Sequence, residues 1–318
     1  MRYVSLEGLK KPISSIILGS TYFGTAIDEK TTFAMLDAFI EAGGNAIDTA
    51  RSYGDGISEQ TIARYLRQTG MEGQILLITK GLQPQDDGTP RFSEANLASD
   101  IQQSQEALQT EHFDIWFFHR DDVNFKASEV IQMVAPYVEK GIIGTLGASN
   151  WTIPRIIEAN AYAQKHSLPQ FAISEIQYSL APSIPNSWDD YDLVFMDESS
   201  LQWYQSTGMP VFAYASQSKG FFSQAIANGL QGLSLKARRR FLTEENEQKI
   251  GRVENLSKEL GHSPSQIALG YVNSSSMPTC AIIGCSSLKQ LHDSLGAKDL
   301  LLSKEHIAYL ETGLRDGV

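Results

Sequence analysis

The chain has 318 residues, 42% of them hydrophobic and 20% charged, with a formal net charge of -11. This length and balance suit one globular α/β domain spanning 1-318. The acidic surplus argues against a nucleic-acid partner, and the only tight basic run, Arg238-Arg239-Arg240, reads as a solvated helix face.

Residues 1-15 are expected to form a small β-hairpin over the N-terminal mouth of the fold. Apolar, β-rich runs follow at 16-19, 45-48, 75-79, 113-118, 142-147, 171-177, 210-214 and 280-283. Amphipathic stretches separate them: 31-42, a helix opening at Ser58-Glu59, then 93-109, 126-139, 153-166, 197-207, 245-260 and 286-295. Gly43-Gly44, Gly70, Gly141 and Gly261 each follow such a stretch, as helix-terminating glycines do. Strand and helix alternating eight times predicts a (β/α)8 TIM barrel with an N-terminal β-hairpin and long βα loops. A doubly wound sheet is the structural rival, but the chain has no G-x-G-x-x-G turn after an early strand. Two segments fall outside the repeat. Residues 180-195 carry Pro182, Pro185 and paired acids and read as a long loop; residues 215-242 read as a Gly/Ser/Gln-containing insertion. Long βα loops on a barrel commonly carry function.

Cys280 and Cys285 make neither a disulfide framework nor a zinc site and read as reduced thiols. Met1 to Glu7 lacks the apolar segment of a secretion signal, and no apolar run approaches the length of a membrane span. A cytoplasmic location with no membrane partner is therefore expected.

The chemistry concentrates in four residues. Asp48 closes the run Asn45-Ala46-Ile47, Lys80 closes Ile75-Leu76-Leu77-Ile78-Thr79, and His119 closes Phe113 to Phe118; Tyr53 lies in the loop after Asp48. A polar group ending a buried strand needs partners to offset its desolvation. Several such residues on successive strands describe an active site at the strand-end face. A lysine beside a tyrosine stabilises phenolate and lowers the phenol's pKa, a carboxylate keeps the lysine charged, and an imidazole donates to a carbonyl oxygen. The set supplies a general acid and an oxygen-polarising donor but no nucleophile, so it suits carbonyl reduction beside a hydride-carrying nicotinamide. Each residue alone has a plainer reading: a loop cap, a solvent-reaching lysine, a core histidine, a packed tyrosine. A metal-dependent site built on Asp48, His119 and Glu175 is a further alternative, against which stands the lack of H-x-H or other close ligand spacing.

These residues and their surroundings resemble the aldo-keto reductases, in their bacterial-type branch. The resemblance covers nearly the whole chain: Ile47-Asp48-Thr49-Ala50, Tyr53-Gly54, Ser58-Glu59, Ile78-Thr79-Lys80, His119-Arg120-Asp121-Asp122, Gly147-Ala148-Ser149-Asn150, Ala213-Tyr214 and Ile283-Gly284-Cys285-Ser286-Ser287 before Gln290. It implies an NAD(P)H-dependent oxidoreductase that reversibly reduces an aldehyde or ketone. Tyr53 would be the general acid/base, Asp48 and Lys80 its tuners, and His119 the carbonyl-orienting donor. It further implies that Ser149, Asn150 and Glu175 hold the nicotinamide carboxamide and that Tyr214 stacks on the ring. Gly19, Ser20 and Asp48 would contribute to the cofactor site. Ala215, Ser216, Gln217, Ser218, Lys219 and Gly220 would wrap the pyrophosphate, and Gly284, Ser286, Ser287 and Gln290 would meet the adenosine. NADP(H) is the cofactor favoured by the resemblance, with NAD(H) the alternative, and no metal is expected. Tyr22, Tyr53, His119, Arg120 and Trp151 would ring the substrate mouth for a small-molecule carbonyl or alcohol, a sugar-like one among the options. Arg120 and Asp121 would bind substrate groups or pair with each other. A cofactor-sensing regulatory subunit with little turnover is the alternative function.

The chain departs from the family at four places. Ala215-Ser216-Gln217 stands where Ser-Pro-Leu is usual, Glu175 where Gln is common, Gln290 where a basic residue often reads the 2′-phosphate, and Ser294 where Asn is frequent. A glutamate at 175 is expected to accept from the carboxamide N–H without donating.

Overall fold

Strand alternation sets the inner and outer walls of this protein. In a computed structural model describing residues 1–85, 87–190 and 192–315, β1 (Tyr3–Val4) and β2 (Ile13–Ser14) pair as an antiparallel hairpin. The barrel strands are β3 (Ile16–Gly19), β4 (Ala46–Asp48), β5 (Leu76–Gly81), β6 (Phe113–Phe118), β7 (Ile143–Ser149), β8 (Ile173–Gln177), β9 (Val211–Tyr214) and β10 (Thr279–Ile283). They run parallel and close in chain order, with β10 paired to β3. The barrel and the hairpin are as expected from the sequence. Leu6 and Ile13 of the hairpin region join Ile17, Ala46, Leu76, Ile115, Ile173 and Cys280 in the inner apolar cluster. The hairpin therefore plugs the N-terminal mouth.

The helices are α1 (Glu29–Glu41), α2 (Ile57–Thr69), α3 (Glu94–Leu108), α4 (Ala127–Glu139), α5 (Ile153–His166), α6 (Glu198–Thr207), α7 (Phe221–Asn228), α8 (Leu235–Phe241), α9 (Glu244–Leu260), α10 (Pro264–Asn273), α11 (Leu288–Leu295) and α12 (Lys304–Thr312). Eight match the expected stretches to within two or three residues. Four do not. The 215-242 segment is an insertion between β9 and α9, as expected, and contains α7 and α8, while α10 and α12 were not expected. From Ile267 to Asn273, α10 is buried on every side, so it has no polar stripe to mark a helical period. No helix among the described residues is long and apolar enough to cross a membrane.

Inward positions occur at every second residue and change character along each strand. Leu76 and Ile78 lead to Lys80, Ile115 and Phe117 to His119, Ala46 to Asp48, Ile173 to Glu175, and Phe212 to Tyr214. The lower layers are apolar packing; the top layer at the strands' C-terminal ends is polar. Gly147 allows this interior to fill. Phe117 pairs with it across the sheet, and a Cβ at Gly147 would lie 2.2 Å from Phe117 Cε1.

Gly147→Ala is therefore an overpacking change. It is expected to cost about 1–3 kcal/mol, read as a lower urea midpoint at unchanged slope. Combining it with Phe117→Leu should recover part of that loss; an unchanged midpoint for the single variant would contradict the packing.

Candidate active site

Short parallel pairings carry the polar residues to one ring. Asp48 ends β4 beside Gly19 of β3, and Lys80 lies in β5. Directly after β6, the His119 amide donates to the Gly81 carbonyl at 2.9 Å. Ser149 of β7 stands opposite Glu175 of β8. Tyr53 comes from a short 3-10 turn, Tyr53–Gly56, above β4.

At the centre is the Lys80 ammonium, wholly buried. It donates a short hydrogen bond to Asp48 Oδ1 and another to the Thr49 carbonyl at 3.0 Å. Glu175 Oε1 lies 3.5 Å from the same Nζ. Two carboxylates thus share one cation. The Lys80 Nζ is 5.3 Å from the centre of the Tyr53 ring, and the His119 ring meets that ring edge-on, 5.9 Å between centroids at 74°.

Charge and burial set the protonation states. Burial alone would lower the Lys80 ammonium, but Asp48 and Glu175 outweigh it and hold Lys80 above its ordinary value. Burial, resisted by Lys80 and reinforced by Asp48, pushes the Glu175 carboxyl up to about 8. Asp48 has the direct bond to the ammonium and is the better placed of the two to stay ionised. A carboxyl raised this far can hold a proton and so donate as well as accept, where the sequence alone suggests only an acceptor. Its Oε2 is buried without a hydrogen-bond partner. His119 is held well below its ordinary value by burial, with Arg120 and Lys80 adding to the effect, so it is a neutral imidazole with one N–H.

The Tyr53 phenol also differs from expectation. Lys80 does lower it, but burial raises it more, with Asp48 and Glu175 adding to the rise. The net direction is upward, and the phenol holds its proton at neutral pH.

A second chain of polar groups continues from Glu175. Ser149 Oγ donates to Glu175 Oε1 at 3.4 Å, and Asn150 Nδ2 donates to Ser149 Oγ at 3.1 Å. The Tyr214 hydroxyl donates to Asn150 Oδ1 at 2.7 Å, and the Val194 amide donates to the same oxygen at 3.1 Å. Asn150, Ala215, Ser218 and Lys219 all have φ between +50° and +57°. Left-handed backbone at non-glycine residues is costly, and here it gathers on one rim of the barrel.

A family model described as the Aldo/keto reductase family matches residues 15–314. The chain belongs to that family. It is thereby an oxidoreductase of the aldo-keto reductase class. The uncharacterized oxidoreductase YrpG of Bacillus subtilis is 25% identical to it, over 97% of this chain and 94% of that one. The norsolorinic acid reductase of Aspergillus flavus is 24% identical, over 94% of this chain and 77% of that one. Among solved structures, the thermostable aldo-keto reductase Tm1743 matches with a TM-score of 0.74 at 20% identity, covering 98% of this chain and 99% of that one. An aldo-keto reductase from Klebsiella pneumoniae in complex with NADPH matches with a TM-score of 0.72 at 23% identity, covering 98% and 94%.

The remaining aldo-keto reductase positions fall as follows. Ser20 is buried and its hydroxyl accepts from Ser58 Oγ at 2.8 Å. Ser216 Oγ donates to the Ile282 carbonyl at 2.8 Å, while Ser218 Oγ is buried without a partner. Gln217 Nε2 donates to Ser294 Oγ at 3.1 Å, joining two of the positions that depart from the family. Gln290 folds back, its Oε1 accepting from the Ser286 amide at 2.8 Å and hydroxyl at 2.9 Å. Gly220 follows Lys219 in the turn before α7, and Gly284 is exposed after β10. Tyr22 is 55% exposed. Trp151 does not reach the mouth: it is wholly buried against Phe118 and Phe171, and its indole N–H donates to the Arg120 carbonyl at 3.2 Å.

Arg120 and Asp121 do not pair with each other. Arg120 makes a short bond to Asp190, and Asp121 is gripped by Arg155 at 2.8 and 3.0 Å. Neighbouring Asp189 pairs with Arg239 and Arg240 of α8, so part of the basic run is spent on the 180-195 loop. Tyr191 of that loop lies outside the described residues. Asp190 and Thr49 were not anticipated. Asp190 acts from a distant loop and Thr49 through its backbone carbonyl, so neither side chain announces the role.

A raised glutamate makes folding depend on pH. Between about 4.5 and about 8 the unfolded chain releases the Glu175 proton while the folded chain keeps it. Stability from this group is therefore undiminished at low pH and lost as pH rises through that window. Glu175→Gln is expected to flatten the decline by at most about 1.4 kcal/mol per pH unit, measured by urea unfolding. Asp48 and Glu59, which burial also raises, add slope of the same sign, and His119, which burial lowers, adds slope of the opposite sign. Parallel profiles for the two proteins would contradict the assignment.

Proposed function

We propose that the protein reduces an aldehyde or ketone to its alcohol, reversibly, with NADP(H) as the favoured hydride source and Tyr53 as the acid. The observation that carries this reading is the buried Lys80 shared by Asp48 and Glu175, with Tyr53 above it and neutral His119 edge-on to the phenol.

The residues present suit a nicotinamide. A primary carboxamide needs both a donor and an acceptor, and Ser149, Asn150 and Glu175 offer both at the end of β7 and β8. Glu175 Oε2 and His119 Nδ1 are buried and lack partners within the protein. Tyr214 presents a ring beside them. When bound, the cofactor supplies the hydride and takes up a positive ring charge. Residues 215-220, with their left-handed backbone, would run along the pyrophosphate, and Ser286 and Ser287 at the start of α11 would lie toward the adenosine. The family and the NADPH complex of the Klebsiella pneumoniae structure support NADP(H). Gln290 brings no charge to a 2′-phosphate, which leaves NAD(H) as the alternative.

The proton side of the reaction follows from this chain's own groups. His119 donates its N–H to the substrate carbonyl oxygen and orients the carbon for attack. Tyr53 then gives its proton to the oxygen as hydride arrives at the carbon, so one hydride and one proton make the alcohol. Lys80 lies close enough to stabilise the phenolate left behind. In the oxidative direction that phenolate takes the alcohol proton back. Tyr22 and the Arg120–Asp190 pair border the mouth and can offer polar contacts to a hydroxylated, sugar-like substrate.

Tyr53→Phe removes the transferable proton and leaves the ring. Turnover is expected to fall about 10²–10⁴-fold in a coupled loss of NADPH absorbance with a carbonyl panel, with the NADPH dissociation constant changed little. Full activity in this variant would overturn the role given to Tyr53, and failure of the wild-type protein to bind NADPH or NADH would overturn the reading as a whole.

A further inference from the structure

Lys80, Asp48 and Glu175 form a buried cluster whose charge count matters. With both carboxylates ionised the cluster carries one net negative charge inside the barrel; with one proton it is neutral. The proton falls to Glu175, whose oxygen stands off from the ammonium at 3.5 Å while Asp48 holds the short bond. Glu175 Oε2, buried and without a partner, is where that proton can sit. The groups facing Glu175 bear this out strand by strand. β5 offers Lys80, β4 offers Asp48, β7 offers the uncharged Ser149, and β9 offers Tyr214, which burial keeps protonated. Tyr53 above is likewise a neutral phenol, and His119 a neutral imidazole. Arg120 is a further cation near this rim and is paired with Asp190, and Lys219 lies beyond it in the 215-220 turn.

We infer that Glu175 senses the redox state of the nicotinamide, binding the reduced ring as a neutral carboxylic acid and the oxidised ring as a carboxylate. This rests on the proposed carboxamide contact at the end of β7 and β8. A neutral carboxyl matches a primary carboxamide in two hydrogen bonds: its O–H donates to the amide oxygen and its carbonyl accepts from the amide N–H. That pairing suits the uncharged reduced ring. The oxidised ring is a cation entering a water-poor pocket, where an opposite charge on Glu175 offsets part of its desolvation. A glutamine, usual at this position in the family, supplies the hydrogen bonds but has no charge to change.

The sign of the effect follows from the proton. Oxidised cofactor binds the form of the protein that has lost the Glu175 proton to solvent, so its affinity rises with pH up to the Glu175 pKa of about 8. Reduced cofactor binds the protonated form, so its affinity falls with pH above that value. Taking the ratio of the two dissociation constants cancels the titration of a 2′-phosphate common to both forms.

The test is calorimetric titration of the intact protein with NADP+ and with NADPH across pH 6 to 9, in buffers of differing ionisation heat. The ratio of the oxidised to the reduced dissociation constant is expected to fall by up to about tenfold per pH unit through the Glu175 titration. Below that pKa, NADP+ binding to the wild-type protein should release up to about one proton more than NADPH binding, a difference in which the shared 2′-phosphate cancels and which needs no variant and no turnover. In Glu175→Gln both the pH slope of the ratio and the excess proton release of NADP+ over NADPH should vanish. A wild-type ratio independent of pH, no excess proton release, or a Glu175→Gln variant that keeps both effects would overturn the inference while leaving the carbonyl-reductase reading intact. Absence of binding by either cofactor at every pH would overturn that reading and the inference with it.

Discussion

A single buried ammonium organises the mouth of this barrel. Lys80 sits where the inward side chains change from apolar to polar, and it is wholly buried. A lone cation there would be costly, so it must have anions, and the barrel supplies them from β4 and β8. Two carboxylates exceed what one ammonium needs. A proton on Glu175 would relieve the surplus, while burial keeps the neighbouring phenol protonated and the imidazole neutral. Removing Lys80 would leave two acids facing each other, whereas removing either acid leaves the lysine still paired.

The barrel holds these groups with little freedom because each comes from a strand end or the turn after it. Register places Ser149 opposite Glu175 and Asp48 beside Gly19 without loop flexibility intervening. The loops then close around the ring by charge. Asp190 ties the 180-195 loop to Arg120, Asp189 ties it to α8, and Trp188 lies under the Arg240 guanidinium at 4.1 Å. The same loop donates its Val194 amide to Asn150. The left-handed backbone at Asn150, Ala215, Ser218 and Lys219 is held at the ends of β7 and β9, where Asn150 accepts from the Tyr214 hydroxyl.

Much of this was legible in the residues. Each barrel strand was marked by an apolar run, because parallel strands are covered on both faces and carry few polar interruptions. Asp48, Lys80 and His119 stood out as polar endings to such runs. α10 was missed although Ser263-Pro264 and Gln266 form a capping signature, because the helix after it is buried all round and shows no period. The direction of the Tyr53 shift was missed for a different reason. A sequence shows that a lysine will be near, but not how deeply the phenol is buried, and here burial outweighs charge. The rise of the Glu175 carboxyl is hidden for the same cause: it comes from burial and from sharing one ammonium with Asp48 across 127 residues of chain (175 - 48), a proximity only the closed barrel creates. Trp151, read as a mouth residue, turns inward to the aromatic packing around Phe118 and Phe171.

The claim on which this account turns is that Glu175 keeps a proton at neutral pH. Infrared difference spectroscopy between wild-type protein and Glu175→Gln reads it directly, since a protonated carboxyl has a carbonyl stretch that a carboxylate lacks. The account predicts a carboxylic-acid band at neutral pH that is missing from Glu175→Gln, survives in Glu59→Gln, and converts to the carboxylate bands as pH rises past about 8. A difference spectrum at neutral pH showing only carboxylate bands for Glu175 would contradict it.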